Sequence, residues 1–105
     1  MMIYANFETT DDYYPMGFLF DTKKDFLRAC EDDRILAVRD IVRFRIGGET
    51  YAERQDSLRN IAIDFQRAEQ GYHFYWSDYC TVTNFFESYG RKYGLLREFR
   101  ENGIC

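Results

Sequence analysis

The stretch SDYCTVTNFFESYGRKYGLLREFRENGIC, residues 77–105, decides how the rest of the chain must fold. Its apolar residues recur at steps of three and four, which places them on one helix face because each turn takes about 3.6 residues. We expect Ser77 to cap this helix and Gly94 to end it, with a shorter helix following up to Asn102-Gly103. A stripe this aromatic must be covered by the remainder of the chain. It consists of Tyr79, Val82, Phe85, Phe86, Tyr89, Tyr93, Leu96 and Phe99.

Two earlier segments carry helix start signals. Thr22-x-x-Asp25 resembles a capping box and predicts a helix over residues 23–33, whereas Thr50-x-x-Glu53 is a complete capping box. The second box predicts the clearest helix of the chain, which Gly71 ends. The apolar stripes of the two helices are Phe26, Leu27 and Cys30 in the first, and Leu58, Ile61, Ala62, Phe65 and Ala68 in the second.

Three or four segments are typical of strands. Residues 3–7 alternate between apolar and polar positions, and residues 17–20 could pair back on them after a turn that contains Pro15. Residues 38–46 alternate again before Gly47-Gly48. The ring-bearing run 72–76 predicts a short buried strand or a turn that leads into the last helices.

These elements predict a single α+β domain over residues 1–105. We expect a small, mainly antiparallel sheet of three or four strands with about three helices packed on one face, including the C-terminal aromatic helix plus a short final helix. A split βαβ arrangement is one version of this fold, and four helices with one β-hairpin is the alternative. Hydrophobic residues make up 46% of the chain, which is ordinary for a globular protein.

Charge and cysteine content bear on location and partners. The net charge of −4 opposes non-specific attraction to nucleic acid or to an anionic membrane. No segment reaches the roughly 20 apolar residues of a membrane span, and Met1-Met2-Ile3 opens no signal peptide. The three cysteines, Cys30, Cys80 and Cys105, are odd in number and widely separated, which is typical of reduced thiols. We therefore expect a cytoplasmic protein that does not bind membranes.

No residue pattern predicts an enzyme. The chain has one histidine, its cysteines lack CxxC spacing, and none of its serines lies in GxSxG. Neither a metal nor another cofactor is expected, and the prediction is a non-enzymatic protein that acts by binding. The sequence leaves its oligomeric state open.

The first candidate binding site is a loop in the acidic first third of the chain. Residues 1–33 carry eight acidic and three basic side chains, and Pro15 with Gly17 predicts an exposed loop. Tyrosine offers a large contact area while losing few rotatable bonds, and neighbouring carboxylates would steer a basic partner. We expect this loop to contact a partner protein. The site residues are Asp11, Asp12, Tyr13 and Tyr14.

The alternative site is an arginine-bearing strand that would bind single-stranded nucleic acid. If residues 38–46 form a regular strand, then Arg39, Arg43 and Arg45 lie on one face. Arginine binds phosphates and stacks on rings, and aromatic residues of a neighbouring strand, such as Tyr75, would complete a stacking platform. The net negative charge and the lack of an RNP-type motif argue against this alternative. Ion pairing between these arginines and the acidic residues of the first third explains the pattern as well.

Three segments also resemble a group of known proteins. KYGLLREFRENGIC, preceded by NFFESYGR, together with GFLFDTKKDFLRAC, is similar to short uncharacterised accessory proteins of bacterial conjugative elements and prophages. The resemblance implies a bacterial accessory protein of a mobile element or phage, and some such small acidic proteins inhibit host defence. Eleven arginines dilute the acidic residues, so the sequence departs from the pattern of a DNA mimic. The resemblance brings no catalytic residue with it.

Overall fold

The computed structural model describes residues 1–10, 16–71 and 73–105 of the chain. Strands and helices are interspersed along this part of the protein. The strands are β1 (Ile3–Thr9), β2 (Met16–Phe20), β3 (Ile35–Arg43) and β4 (His73–Phe74). The helices are α1 (Lys23–Cys30), α2 (Tyr51–Glu69), α3 (Trp76–Lys92) and α4 (Leu96–Glu101). The predicted α+β class, with an aromatic helix and a short final helix at the C-terminal end, is confirmed.

The strands form one sheet in the order β3-β1-β2-β4. β1 is its centre and pairs antiparallel with both β2 and β3, whereas the two-residue β4 pairs parallel with β2. The sheet is therefore mainly antiparallel, as predicted. β3 differs from the prediction of residues 38–46, because its ladder begins at Ile35 and ends at Arg43.

The start signals of α1 and α2 act as predicted. The Thr22 hydroxyl accepts a hydrogen bond from the Asp25 amide at 3.2 Å, and the Thr50 hydroxyl accepts one from the Glu53 amide at 3.1 Å. Gly94 follows α3 with a φ of +71°, which confirms it as a stop. The Ser77 cap is wrong, because α3 already begins at Trp76 and no side chain caps it.

The larger core lies between one side of the sheet and the helices α2, α3 and α4. We call this side the α2 face; it carries Tyr4 and Val42, which are paired across β1 and β3. Phe86 is fully buried there, and its ring lies 5.7–6.1 Å from those of Phe44, Phe65 and Phe99. Val82, Phe86, Tyr93 and Phe99 of the predicted stripe lie in this core, whereas Tyr79 and Tyr89 of the same stripe are exposed.

The opposite side of the sheet, which we call the α1 face, carries a smaller core. Ile3, Ala5 and Phe7 of β1 alternate with Tyr4 and pack with Phe26 of α1. The expectation that the helices share one face is therefore wrong for α1, since Phe26 lies on the other side from α2. The reason is the alternation of β1, whose apolar residues point to both sides and require cover on both.

A buried side-chain amide, that of Asn6, links β1 to β3 and to α2. The amide of Asn6, a fully buried residue, donates to the Ala68 carbonyl at the end of α2 at 2.6 Å and to the Asp40 carboxylate at 3.2 Å. Its oxygen accepts from the Tyr4 hydroxyl. Because a buried amide without partners costs about 1–3 kcal/mol, these bonds fix β1 against both β3 and α2.

Candidate functional site

The loop predicted to bind a partner protein lies outside the described residues. Asp11, Asp12, Tyr13 and Tyr14 all fall between residues 10 and 16. The hypothesis that they form a protein-binding site therefore stays a prediction.

The single-face arrangement predicted for the alternative site is wrong, because β3 is not a regular strand. Nucleic-acid binding by these residues stays a prediction. Between the pairs Tyr4–Val42 and Asn6–Arg39, β3 contains one residue more than β1. Asp40 takes up this extra residue with a φ of +53°, which aspartate tolerates better than most residues. Paired residues lie on the same side of a sheet, so Arg39 lies on the α2 face, whereas Arg43 pairs with Ile3 on the α1 face. The two arginines do not share a face.

The stacking platform is not formed either. Arg39 forms an ion pair with Glu8 of the neighbouring strand at 3.3 Å, which agrees with the ion-pairing explanation. Arg45 lies beyond the end of β3, and Tyr75 directly follows β4 at the opposite edge of the sheet. Two strands separate the arginines from Tyr75, because β1 and β2 lie between β3 and β4.

The part of the chain that the structure describes contains no cluster of three or more histidine, cysteine or carboxylate side chains that could hold a metal ion. Cys30, Cys80 and Cys105 are free and half-buried. Burial raises the pKa of the Cys30 and Cys105 thiols, so neither is an activated nucleophile. Among the helices described, none is both long and apolar enough to cross a membrane.

A different surface stands out at the start of α3. Trp76, the only tryptophan of the chain, is 76% exposed, and Tyr75 and Tyr79 beside it are exposed as well. Trp76 and Tyr79 lie one helical turn apart with ring centroids 5.6 Å apart and planes 18° from parallel, so their rings stack. We call Tyr75, Trp76 and Tyr79 the aromatic patch.

The aromatic patch is fixed to the core through a chain of ring contacts. Tyr79 packs edge-on against Phe74 at 6.2 Å, and Phe74 contacts both Tyr4 at 5.1 Å and Phe65 at 5.8 Å. Tyr75 lies 5.9 Å from Phe18 of β2. Because these inner rings belong to packed elements, they support the exposed rings from behind, which reduces the side-chain entropy lost on binding.

Sequence reasoning missed this patch because residues 72–76 favour a strand and a strand of rings is expected to be buried. The ladder instead stops after Phe74, and α3 starts with Trp76 on its outer side. One signal could have found it: Trp76 and Tyr79 are three residues apart, the spacing of neighbours on one helix face.

Comparison of the chain with family models, with curated proteins and with solved structures returned no match. The chemistry of its own surface is therefore the basis for any functional conclusion.

Proposed function

We propose that this protein is a non-enzymatic binding protein that contacts a partner protein through the aromatic patch. The observation that carries the proposal is the position of Trp76, three-quarters exposed and yet held in a stack on Tyr79. Exposing an indole to water forfeits the free energy of burying a large apolar surface. Tryptophan and tyrosine are also the residues on which binding energy concentrates at protein interfaces.

Charge favours a basic partner segment. The chain has a net charge of −4, and Asp78 lies within the first turn of α3, between Trp76 and Tyr79 in sequence. An arginine or lysine of the partner would pack on the indole face of Trp76 in a cation–π interaction, and the Asp78 carboxylate would attract the same positive charge. The long-range attraction would raise the association rate at low salt. The proposed partner therefore presents a basic segment.

The resemblance to accessory proteins of bacterial mobile elements indicates where to look for that partner. A bacterial host protein, including a component of host defence, is the class that the resemblance implies. The absence of an enzymatic activity and the cytoplasmic location also stay predictions.

The test compares two matched variants by affinity capture from a nuclease-treated bacterial lysate, with the captured proteins quantified by mass spectrometry. One is the double variant Trp76→Ala with Tyr79→Ala. The control is Leu36→Ala, which truncates another exposed apolar side chain on β3, at the far edge of the sheet. A partner should be retained by the control and reduced about thirtyfold or more by the double variant, the loss expected for a binding hot spot.

Trp76 supplies a second readout, because it is the only indole of the chain. With the purified partner, its fluorescence should shift to shorter wavelength and become protected from acrylamide quenching. Equal capture by wild type and the double variant would overturn the proposal. A shift that appears on concentrating the protein alone, with dimerisation in sedimentation, would replace the partner by a second copy of this chain.

A further inference from the structure

A second surface, distinct from the aromatic patch, lies near the C-terminal end of α3. A groove of about 320 Å³ opens between the segment that follows β3, the start of α2 and the last turns of α3. Its walls include Arg45, Arg54, Phe85, Tyr89, Lys92 and Tyr93. Lys92 lies 16 residues beyond Trp76 on α3, about 24 Å at 1.5 Å per residue, and Phe85, the lining residue of α3 nearest the patch, lies six residues beyond Tyr79, about 9 Å. We call it the basic groove.

The basic groove is positively charged although the protein is acidic overall. Three of the side chains that line it are cationic, and no described carboxylate lines it. Ion pairs engage Arg39, Arg59, Arg91 and Arg97 elsewhere. By contrast, across residues 1–10, 16–71 and 73–105, neither Arg45 nor Lys92 has a carboxylate within 4.0 Å. Cations gathered in a cleft and left unneutralised create a positive local potential that attracts anions.

The third cation is fixed in place by the fold. The Arg54 guanidinium donates to the Gly48 carbonyl at 3.1 Å and to the Tyr93 hydroxyl at 3.3 Å. The Tyr93 carbonyl in turn accepts a hydrogen bond from the Gln55 amide at 2.8 Å. Arg54 therefore keeps its full charge in one position, with a neutral hydroxyl and a carbonyl as its partners.

Aromatic rings form the other wall of the basic groove. Tyr89 is 37% exposed, and its ring centroid lies 4.8 Å from that of Phe85, which packs on Phe44 at 5.2 Å. The Lys92 ammonium lies 5.6 Å from the centroid of the Tyr93 ring. An exposed ring that is supported from behind and flanked by cations offers a surface on which a planar ligand can stack.

We propose that the basic groove binds a nucleotide, with the phosphate between Arg45 and Lys92 and the base against Tyr89. Arginine and lysine are the side chains that bind phosphate, and stacking on tyrosine tolerates any base. The volume is near the lower end of small-molecule sites, which matches one nucleotide unit. The same chemistry is offered by a free nucleotide and by one unit of a single strand.

The test measures binding of three probes by NMR chemical-shift titration at low salt: inorganic phosphate, AMP and a short oligothymidylate. AMP or the oligonucleotide should shift the amide signals around Arg45, Tyr89 and Lys92. The double variant Arg45→Gln with Lys92→Gln should weaken binding about tenfold or more, since each lost contact is a charged hydrogen bond. The matched control, Arg39→Gln with Arg43→Gln, removes the same charge outside the groove and should leave the affinity unchanged.

Replacing Tyr89 by leucine separates a nucleotide site from a simple anion site. It should weaken AMP binding and leave phosphate binding unchanged, because only the base stacks on the ring. If the oligonucleotide binds and AMP displaces it, the ligand is a single strand. If AMP binds and the oligonucleotide does not, the ligand is a free nucleotide. No shift with any probe, equal loss in the control, or indifference to Tyr89→Leu would each overturn the proposal. Trp76 emission should not respond to these probes, so this test is independent of the aromatic patch.

Discussion

The two faces of the sheet differ in how completely they are covered. On the α2 face, Tyr4, Leu58 and Phe86 are inaccessible to solvent, and this side of the sheet is covered by helices α2 and α3, which have 19 and 17 residues. On the α1 face, one helix of eight residues supplies a single buried side chain, Phe26. A helix of that length spans about 12 Å, too little to cover a sheet of four strands.

The more completely covered α2 face should therefore contribute more to the free energy of unfolding than the α1 face. Phe18 and Phe20 on the α1 face stay half-buried, although their rings lie 5.6 Å from that of Phe7. Hydrophobic stabilisation grows with the area removed from water, so equal ring truncations should cost less on this face. Ring truncations on the two faces test that inequality directly.

The largest effect is expected for Phe86→Ala on the α2 face. Phe86 is fully buried among the rings of Phe44, Phe65 and Phe99, so truncation leaves a cavity and should lower the free energy of unfolding by about 3–5 kcal/mol. Urea denaturation monitored by circular dichroism measures this loss. The half-buried neighbour Phe85 provides the control, because Phe85→Ala should cost clearly less. A loss below about 1 kcal/mol for Phe86→Ala would contradict the central place of this ring.

Phe26→Ala makes the corresponding change on the α1 face. Phe26 packs against Phe7 and Phe20 with centroids 6.3 and 5.7 Å away, and its surroundings are only partly buried. The neighbouring side chains can relax into the space, so the expected loss is about 1.5–3 kcal/mol, the transfer free energy of the ring itself. The same urea experiment checks it. A loss equal to that of Phe86→Ala would show that the two faces contribute alike.

Gly17→Ala tests how closely the α2 face is packed against the backbone. A Cβ at Gly17 would lie 2.8 Å from two ring carbons of the buried Tyr4, which pairs its hydroxyl with Asn6 and cannot move freely. Overpacking of this kind costs about 1–3 kcal/mol in unfolding free energy. Gly47→Ala is the matched control, since no atom lies within 4 Å of its Cβ position. Equal stability of the two variants would show that Tyr4 has room to shift.

The parts of the fold that the sequence predicts are those set by local chemistry. Thr22 and Thr50 cap their helices and Gly94 ends α3, because hydroxyl and glycine signals act within a few residues. The apolar stripe of α2 is buried as predicted, from Leu58 to Ala68. These features depend on neighbours along the chain, which a single sequence displays.

What the sequence does not show depends on pairing between distant segments. The extra residue at Asp40 moves the side chains that follow it in β3 to the side of the sheet opposite to the one that regular alternation predicts. The hydrogen bond from Asn6, 34 residues away, stabilises this irregularity. Regular alternation would have put Arg39 and Arg43 on the same face of the sheet, and the extra residue puts them on opposite faces. Tyr4 is wholly buried, and its hydroxyl donates a hydrogen bond to the buried side-chain oxygen of Asn6.

The two proposed sites illustrate the same limit. Both include residues of α3, but the exposure of Trp76 follows from the end of β4, and the basic groove follows from Arg54 reaching Tyr93. Contacts between α2 and α3 join residues 39 positions apart. No local pattern in the sequence indicates them.

The smallest effect is expected at Asp32, at the rim of the α1 face, where the stabilisation by its carboxylate should be lost in acid. The Arg34 guanidinium donates hydrogen bonds of 3.0 and 2.8 Å to the Asp32 carboxylate, and the Arg34 amide donates another of 2.9 Å. The guanidinium bonds foremost, together with the amide bond, lower the pKa of Asp32 from 3.8 to about 2. Because the pKa of Asp32 is lower in the folded state, the stabilisation is complete above pH 4 and is lost as the pH falls from about 4 to 2.

Carboxyl-detected NMR should therefore show Asp32 titrating near pH 2. Arg34→Gln should raise that midpoint only part of the way towards 3.8, because the backbone amide still donates, whereas Arg39→Gln on β3 should leave it unchanged. In the same interval of pH, the protection factors of amides around Phe26 should fall while those around Phe86 stay high, since the Phe86 ring packs among apolar rings. Simultaneous loss of protection at both rings would mean that the two faces unfold as one unit, and the distinction between them would then apply to burial alone.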